Sequence, residues 1–141
     1  MFKLNFNLNN CKQLAIPLLL FISSLFMNAF IFETYESVLG YEVLTFGWVG
    51  FFMGDWAWYA NVCFVVACYL FASQQYLKST VAAVVGFGLS LTALTTTQWF
   101  LGFDSGINIK ALGAGFYAWA LSILLVGLLA YWHDQQPRDE D

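Results

Sequence analysis

The stretch ALGAGFYAWALSILLVGLLAYWH, residues 111–133, contains no Asp, Glu, Lys or Arg. About 20 apolar residues, rising about 1.5 Å each, cover the roughly 30 Å of hydrocarbon in a bilayer. This run is long enough, and so are the three other charge-free stretches, 13–32, 56–77 and 79–103. Backbone amides in lipid must find partners within the protein, so a span is a helix or part of a closed barrel. A barrel would show strands of about ten residues with strict alternation, whereas Ile16–Ile22, Val62–Ala67 and Ser122–Ala130 are continuous apolar runs. The reading predicts helices near 14–34, 55–75, 79–101 and 110–132. The expected fold is an all-α integral membrane protein, a single membrane domain over 1–141 with four transmembrane helices. Residues 35–54 form its hydrophobic, interfacial outer loop and 133–141 its cytoplasmic tail.

Composition agrees with that class. The chain is 60% hydrophobic and 10% charged, far from the balance of a soluble domain, in which about a quarter of residues are charged. Lys and Arg near span ends stay on the cytoplasmic side. Lys3, Lys12, Lys78 and Arg138 share one side of a four-span chain, and only Lys110 falls opposite. This places both termini in the cytoplasm and residues 35–54 and 102–109 outside. The first segment has the basic start of a signal peptide, but its apolar part runs long and no Ala-x-Ala-like site closes it, so an uncleaved helix is expected.

Both ends of the chain are polar. The N-terminal run alternates Phe2, Leu4, Phe6 and Leu8 with Lys3, Asn5, Asn7 and Asn9, a pattern that suits a membrane surface or an unstructured leader. Asp134, Pro137, Asp139, Glu140 and Asp141 make a tail expected to be disordered. Net charge is −4 and there is no basic patch, which argues against nucleic acid as a partner.

Small residues recur four apart at Ala82, Gly86 and Ser90 and at Ala114, Ala118 and Ser122. Residues at that spacing share a helix face, so both sets predict close-packed seams, within the chain or in an oligomer. Asn28 and Asn61 need hydrogen-bond partners across helices, whereas the run Thr95, Thr96, Thr97 can bond back to its own helix.

Five of the six tryptophans, Trp48, Trp56, Trp58, Trp99 and Trp119, fall on the expected outer half. An interfacial aromatic belt accounts for most of this asymmetry, and the surplus can build a binding surface. Four acids, Glu33, Glu36, Glu42 and Asp55, lie on the same side. They either face water as ordinary outer anions or form a negative mouth for a cation, a basic peptide or a polar headgroup. Asp55, Trp58 and Tyr59 stand at i, i+3 and i+4, on one face of an α-helix, with Trp56 and Asn61 turned partly away. Asp55 also suits a helix cap. The candidate partner-binding residues are therefore Glu33, Glu36, Glu42, Trp48, Asp55, Trp58, Tyr59 and Asn61.

Several chemistries lack their residues. One histidine, His133, cannot ligate two haems or anchor a metal cluster. Cys63 and Cys68 stand five apart on one helix and point in different directions, and no Cys-x-x-Cys faces outward. No phosphate-cradling glycine loop or nucleophile elbow occurs. No catalytic residue, metal site or cofactor is expected, and the chain is read as a non-enzyme.

At Gly47-Trp48-Val49-Gly50, followed by Ala57-Trp58-Tyr59-Ala60-Asn61, the chain resembles small, uncharacterised bacterial inner-membrane proteins with a Gly-Trp-x-Gly and Trp-Tyr-Ala-Asn pattern. The resemblance covers about twenty residues. It implies a bacterial inner-membrane origin and carries no activity. These observations lead us to expect a non-catalytic membrane protein whose partners are the bilayer and a membrane protein, a lipid-like molecule or further copies of itself. Its outer aromatic and acidic surface would make the contact, as in an accessory subunit. An immunity protein against a membrane-attacking toxin is the first alternative. A subunit of an oligomeric solute channel or transporter is the second, opposed by the apolar inner halves Val65–Phe71 and Ile123–Ala130.

Overall fold

The computed structural model describes residues 12–33, 37–99 and 107–136. The N-terminal alternation, Glu36 and the tail from Pro137 lie outside them. Helix α1 (Ala15–Leu25) leads directly into strand β1 (Asn28–Phe32). Strand β2 (Val38–Leu39), helix α2 (Gly40–Phe46) and a 3-10 helix (Gly47–Met53) follow. A second 3-10 turn (Ala57–Tyr59) opens α3 (Ala60–Ala72), and a tight turn leads to α4 (Tyr76–Ser90). A third 3-10 segment (Leu91–Thr95) prolongs α4, then come β3 (Gln98–Trp99), β4 (Ile107–Leu112) and α5 (Ala114–Asp134).

Each element has a local cause. Pro17 lies in the first turn of α1, where its missing N–H would find no intrahelical partner in any case. The segment Asn28–Phe32 alternates exposed Asn28, buried Ala29 and Phe30, exposed Ile31 and buried Phe32. That near-alternation seats it as a strand with one apolar face. β1 pairs antiparallel with β2 on one side and β4 on the other, and β3 completes a sheet ordered β2-β1-β4-β3. The 3-10 helix Gly47–Met53 closes at Gly54, whose φ of 81° lies in the left-handed region that glycine adopts without a Cβ clash.

The helices pack around small residues. α3 turns Ala60, Phe64, Ala67 and Phe71 inward against Ala83 of α4 and Ile123, Val126 and Ala130 of α5. A Cβ on Gly86 would stand 2.7 Å from Cys63 Cβ, and one on Gly127 would stand 3.0 Å from Ala83 Cβ. Buried Ser79 donates its hydroxyl to the Ala67 carbonyl at 2.7 Å, tying α4 to α3. The expected seams are thus displaced. Gly86, Ser90 and Ser122 are buried as anticipated, but Ala82 and Ala118 are half-buried and Ala114 is exposed, with Ala83 and Gly127 taking the contact. A separate apolar cluster of Ala29, Phe30, Phe32 and Val38 lies under the sheet.

The expectation of an all-α protein with four transmembrane helices is overturned. The described residues form five α-helices and a four-stranded antiparallel sheet. Tyr76–Thr95 and Ala114–Asp134, 20 and 21 residues, are long and apolar enough to cross a membrane, whereas Ala15–Leu25 and Ala57–Ala72 are shorter. The expected span 14–34 loses its last third to β1, 79–101 ends in β3, and 110–132 begins in β4. The outer loop 35–54 is regular structure in β2, α2 and a 3-10 helix over its described part. A continuous apolar run carries no period, so it cannot separate a lipid-facing helix from a helix followed by a buried strand.

Sheet and bundle meet at the α1–β1 elbow. A Cβ on Gly113 would sit 2.1 Å from the Asn28 carbonyl oxygen, and one on Gly40 would sit 2.3 Å from that of Ser24. Overpacking that flexible side chains can relieve costs about 1–3 kcal/mol, and backbone oxygens have less freedom to yield. Gly113→Ala should therefore lower stability by about 3 kcal/mol or more in thermal melts. Gly88, which has nothing within 4 Å of its would-be Cβ, should accept Ala and gain up to about 1 kcal/mol of helix propensity. Equal melting of Gly113→Ala and wild type would refute the elbow contact.

Candidate binding site at the sheet end of the bundle

The bundle has two unlike ends. Gln13 beside α1 hydrogen-bonds His133 near the end of α5, and His133 stacks on Tyr76 at the start of α4. Lys12 and Lys78 lie at this end with them. At the opposite end, Glu33, Glu42 and Asp55 surround the sheet and the 3-10 segments.

Asp55 is a hub there. Its Oδ1 accepts the Ala57 N–H at 2.9 Å, one residue ahead of the N-cap position, which Trp56 holds. Its Oδ2 accepts the Thr96 hydroxyl at 2.8 Å, which ties the start of α3 to the far end of α4. Its own N–H bonds the Gly50 carbonyl at 2.9 Å. Trp58 donates its indole N–H to the Leu44 carbonyl at 2.8 Å. Asn61 works in both directions, giving an amide proton to the Trp58 carbonyl at 2.8 Å and accepting the Trp119 indole N–H at 2.9 Å.

Of the predicted site residues, Asp55, Trp58 and Asn61 come together as one wall of a small, mainly apolar cavity of about 60 Å³ that Phe30, Trp99, Phe116 and Trp119 also line. Tyr59, expected on one face with Asp55 and Trp58, does not line this cavity. Its ring packs edge-on against Trp58 at 5.6 Å and also meets Phe51 and Trp56, at 5.9 Å from each. Trp48 is exposed on the 3-10 helix before it. Glu33 is exposed just after β1. Glu42 accepts the Leu39 N–H at 2.8 Å and so caps α2.

A second, larger cavity of about 350 Å³ lies between the 3-10 helix Gly47–Met53 and the segment from Thr92 to Trp99, with Asp55 in the wall of both cavities. Thr95 bonds back to its own helical turn at 2.7 Å, as anticipated for its run, and Thr92 does the same at 2.7 Å. Thr96 and Trp119 are the members that sequence reasoning missed. Thr96 looked like a back-bonding threonine and Trp119 like a belt residue, and only tertiary placement brings them to Asp55 and Asn61. Asn28, expected to bond across helices, opens β1 instead. Among the described residues, no three His, Cys, Asp or Glu side chains gather where they could hold a metal ion.

Comparison with protein families, curated proteins and solved structures returns no match.

The Asn61–Trp119 bond gives a direct check. Asn61→Leu strands the Trp119 N–H in a closed environment, which should cost about 1–3 kcal/mol. Trp119→Phe removes the donor and should cost less. In a double-mutant cycle the combined loss should fall short of the sum, and strict additivity would exclude the bond.

Proposed function

We propose that this chain acts by binding, not catalysis, as an accessory subunit in the bacterial inner membrane. Its termini lie in the cytoplasm, and its sheet end, outside, holds a membrane-protein or lipid-like partner. The observation that carries this reading is the aromatic projection at that end. Trp48, Phe51, Phe52 and Trp56 are 49%, 42%, 72% and 47% exposed, although large aromatic side chains are normally buried or at interfaces. Phe51 packs edge-on against both Phe52 and Trp56, at 5.6 and 5.1 Å, so the projection is a preformed surface.

The helical surface supports the membrane setting. Ile16, Leu19 and Ile22 on α1 are exposed, as are Val62, Val65 and Tyr69 on α3, Val81, Val84 and Val85 on α4, and Leu121, Leu128 and Trp132 on α5. A soluble monomer seldom exposes contiguous apolar patches beyond a few hundred Å². Tyr76–Thr95 and Ala114–Asp134 can cross the bilayer by length and composition, with the two shorter helices packed beside them. In this setting the aromatic projection sits where tryptophan and tyrosine favour the headgroup layer.

Two measurements test the proposal together. The protein should resist extraction from membranes by alkaline carbonate, and a photo-crosslinking residue at Phe52 should capture a defined lipid or membrane protein that one at Leu128 does not. Release by carbonate, or identical crosslinks from both positions, would sink it.

A further inference from the structure

We propose that the larger cavity binds a primary ammonium group, carried either on a lipid headgroup or on a free amine. The evidence lies in which hydrogen-bonding capacity remains unspent around it. Asp55 contributes a half-buried carboxylate whose partners, the Ala57 N–H and the Thr96 hydroxyl, are both neutral. A carboxylate has about four lone-pair sites, so those bonds leave acceptor capacity and the full negative charge. Thr92, Thr95 and Thr96 have each committed their hydroxyl proton, to Leu89 O, Thr92 O and Asp55 Oδ2 at 2.7, 2.7 and 2.8 Å. What these hydroxyls still offer is lone pairs. The Trp99 N–H is buried without a partner among the described residues, and Trp99 lines the cavity.

At Asp55, Thr92, Thr95 and Thr96 the cavity wall therefore offers acceptors, their protons being committed elsewhere. Its chemical complement is a donor-rich cation. A primary ammonium has three N–H donors, whereas a quaternary ammonium has none and an anion would meet Asp55. Phe46 and Trp99 in the wall supply aromatic surface that also favours a cation. The volume, about 350 Å³, falls within the range of about 300–1,000 Å³ usual for small-molecule sites. Leu91 and Leu94 alternate with Thr92 and Thr95 and are exposed, so an apolar tail attached to the ammonium has a surface to follow.

This inference rests on the reading of the sheet end as a binding surface, and its test separates the two. Purified protein is placed in nanodiscs of equal phosphatidylethanolamine and phosphatidylcholine, and the lipids it retains are weighed by native mass spectrometry. In detergent, ethanolamine is titrated against tryptophan fluorescence. Asp55→Asn keeps an oxygen for the Ala57 N–H but removes the charge, and it should weaken binding about 10-fold or more, the scale of a charge-assisted hydrogen bond. Thr95→Val, at an exposed position whose hydroxyl serves only its own turn, should weaken binding several-fold with melting unchanged, so the proposal stays testable if Asp55→Asn folds poorly. Enrichment of phosphatidylethanolamine that depends on Asp55 and Thr95 identifies a headgroup site. Saturable ethanolamine binding with the same dependence but no lipid enrichment identifies a free-amine site, and it would stand even if carbonate released the protein from membranes. The proposal is overturned if both lipids are retained equally and ethanolamine also fails to bind, if the variants match wild type, or if only a lysine-bearing peptide binds.

Discussion

The contact on which the rest of the molecule depends is the approach of Gly40, Gly113 and Gly115 to the backbone where α1 becomes β1. A Cβ on Gly115 would stand 2.8 Å from the Met27 carbonyl oxygen and 2.9 Å from that of Asn28, as tight in kind as the contacts of Gly40 and Gly113. The Gly40 N–H bonds the Met27 carbonyl at 3.0 Å, and the Gly113 N–H bonds that of Ala29 at 2.8 Å. Without side chains at these positions, the chain can bring α2 and the start of α5 onto one elbow. That approach sets β2 and β4 on either side of β1, so a steric vacancy at three residues determines the sheet. The backbone of Gly113, extended with φ −85° and ψ 173°, is open to any residue, so its requirement for glycine comes from the neighbour and not from its own torsions.

Once sheet and bundle are joined, polar side chains fix how the remaining segments close over that end. Few are available, and each is used on more than one element. Asp55 spans α3 and the end of α4, Trp58 reaches back to α2, and Asn61 reaches across to α5. In surroundings this apolar, an unmade hydrogen bond costs more than a made one contributes. The network therefore acts chiefly by making alternative arrangements expensive. The same economy shapes the cavity. Thr92, Thr95 and Thr96, which line it, each commit their hydroxyl proton to the protein's own oxygens.

The division of apolar residues follows a comparable logic. The core between α3, α4 and α5 is built largely from alanine, glycine and serine with Phe64, Phe71, Ile123 and Val126, while many of the larger aliphatic and aromatic residues point outward. A water-soluble bundle gains stability by burying its largest apolar side chains. Packing of helices in lipid depends instead on close backbone approach through small residues. This inside-out distribution underlies the membrane setting proposed for the protein.

The sequence by itself determined which segments are apolar and free of charge, that α4 and α5 are long helices, and that Asp55 and Trp58 belong to one locus. These follow from composition and short spacing, which a chain carries in any fold. Tertiary structure alone decided that Asn28–Phe32 and Ile107–Leu112 are strands, because an apolar run gains its period only when a distant partner covers one face. It also decided that Asn61, and not Tyr59, lines the small cavity with Asp55 and Trp58. Thr96 and Trp119 reach Asp55 and Asn61 across 41 and 58 residues of chain. No local pattern encodes such a meeting, because it exists only after the helices have packed.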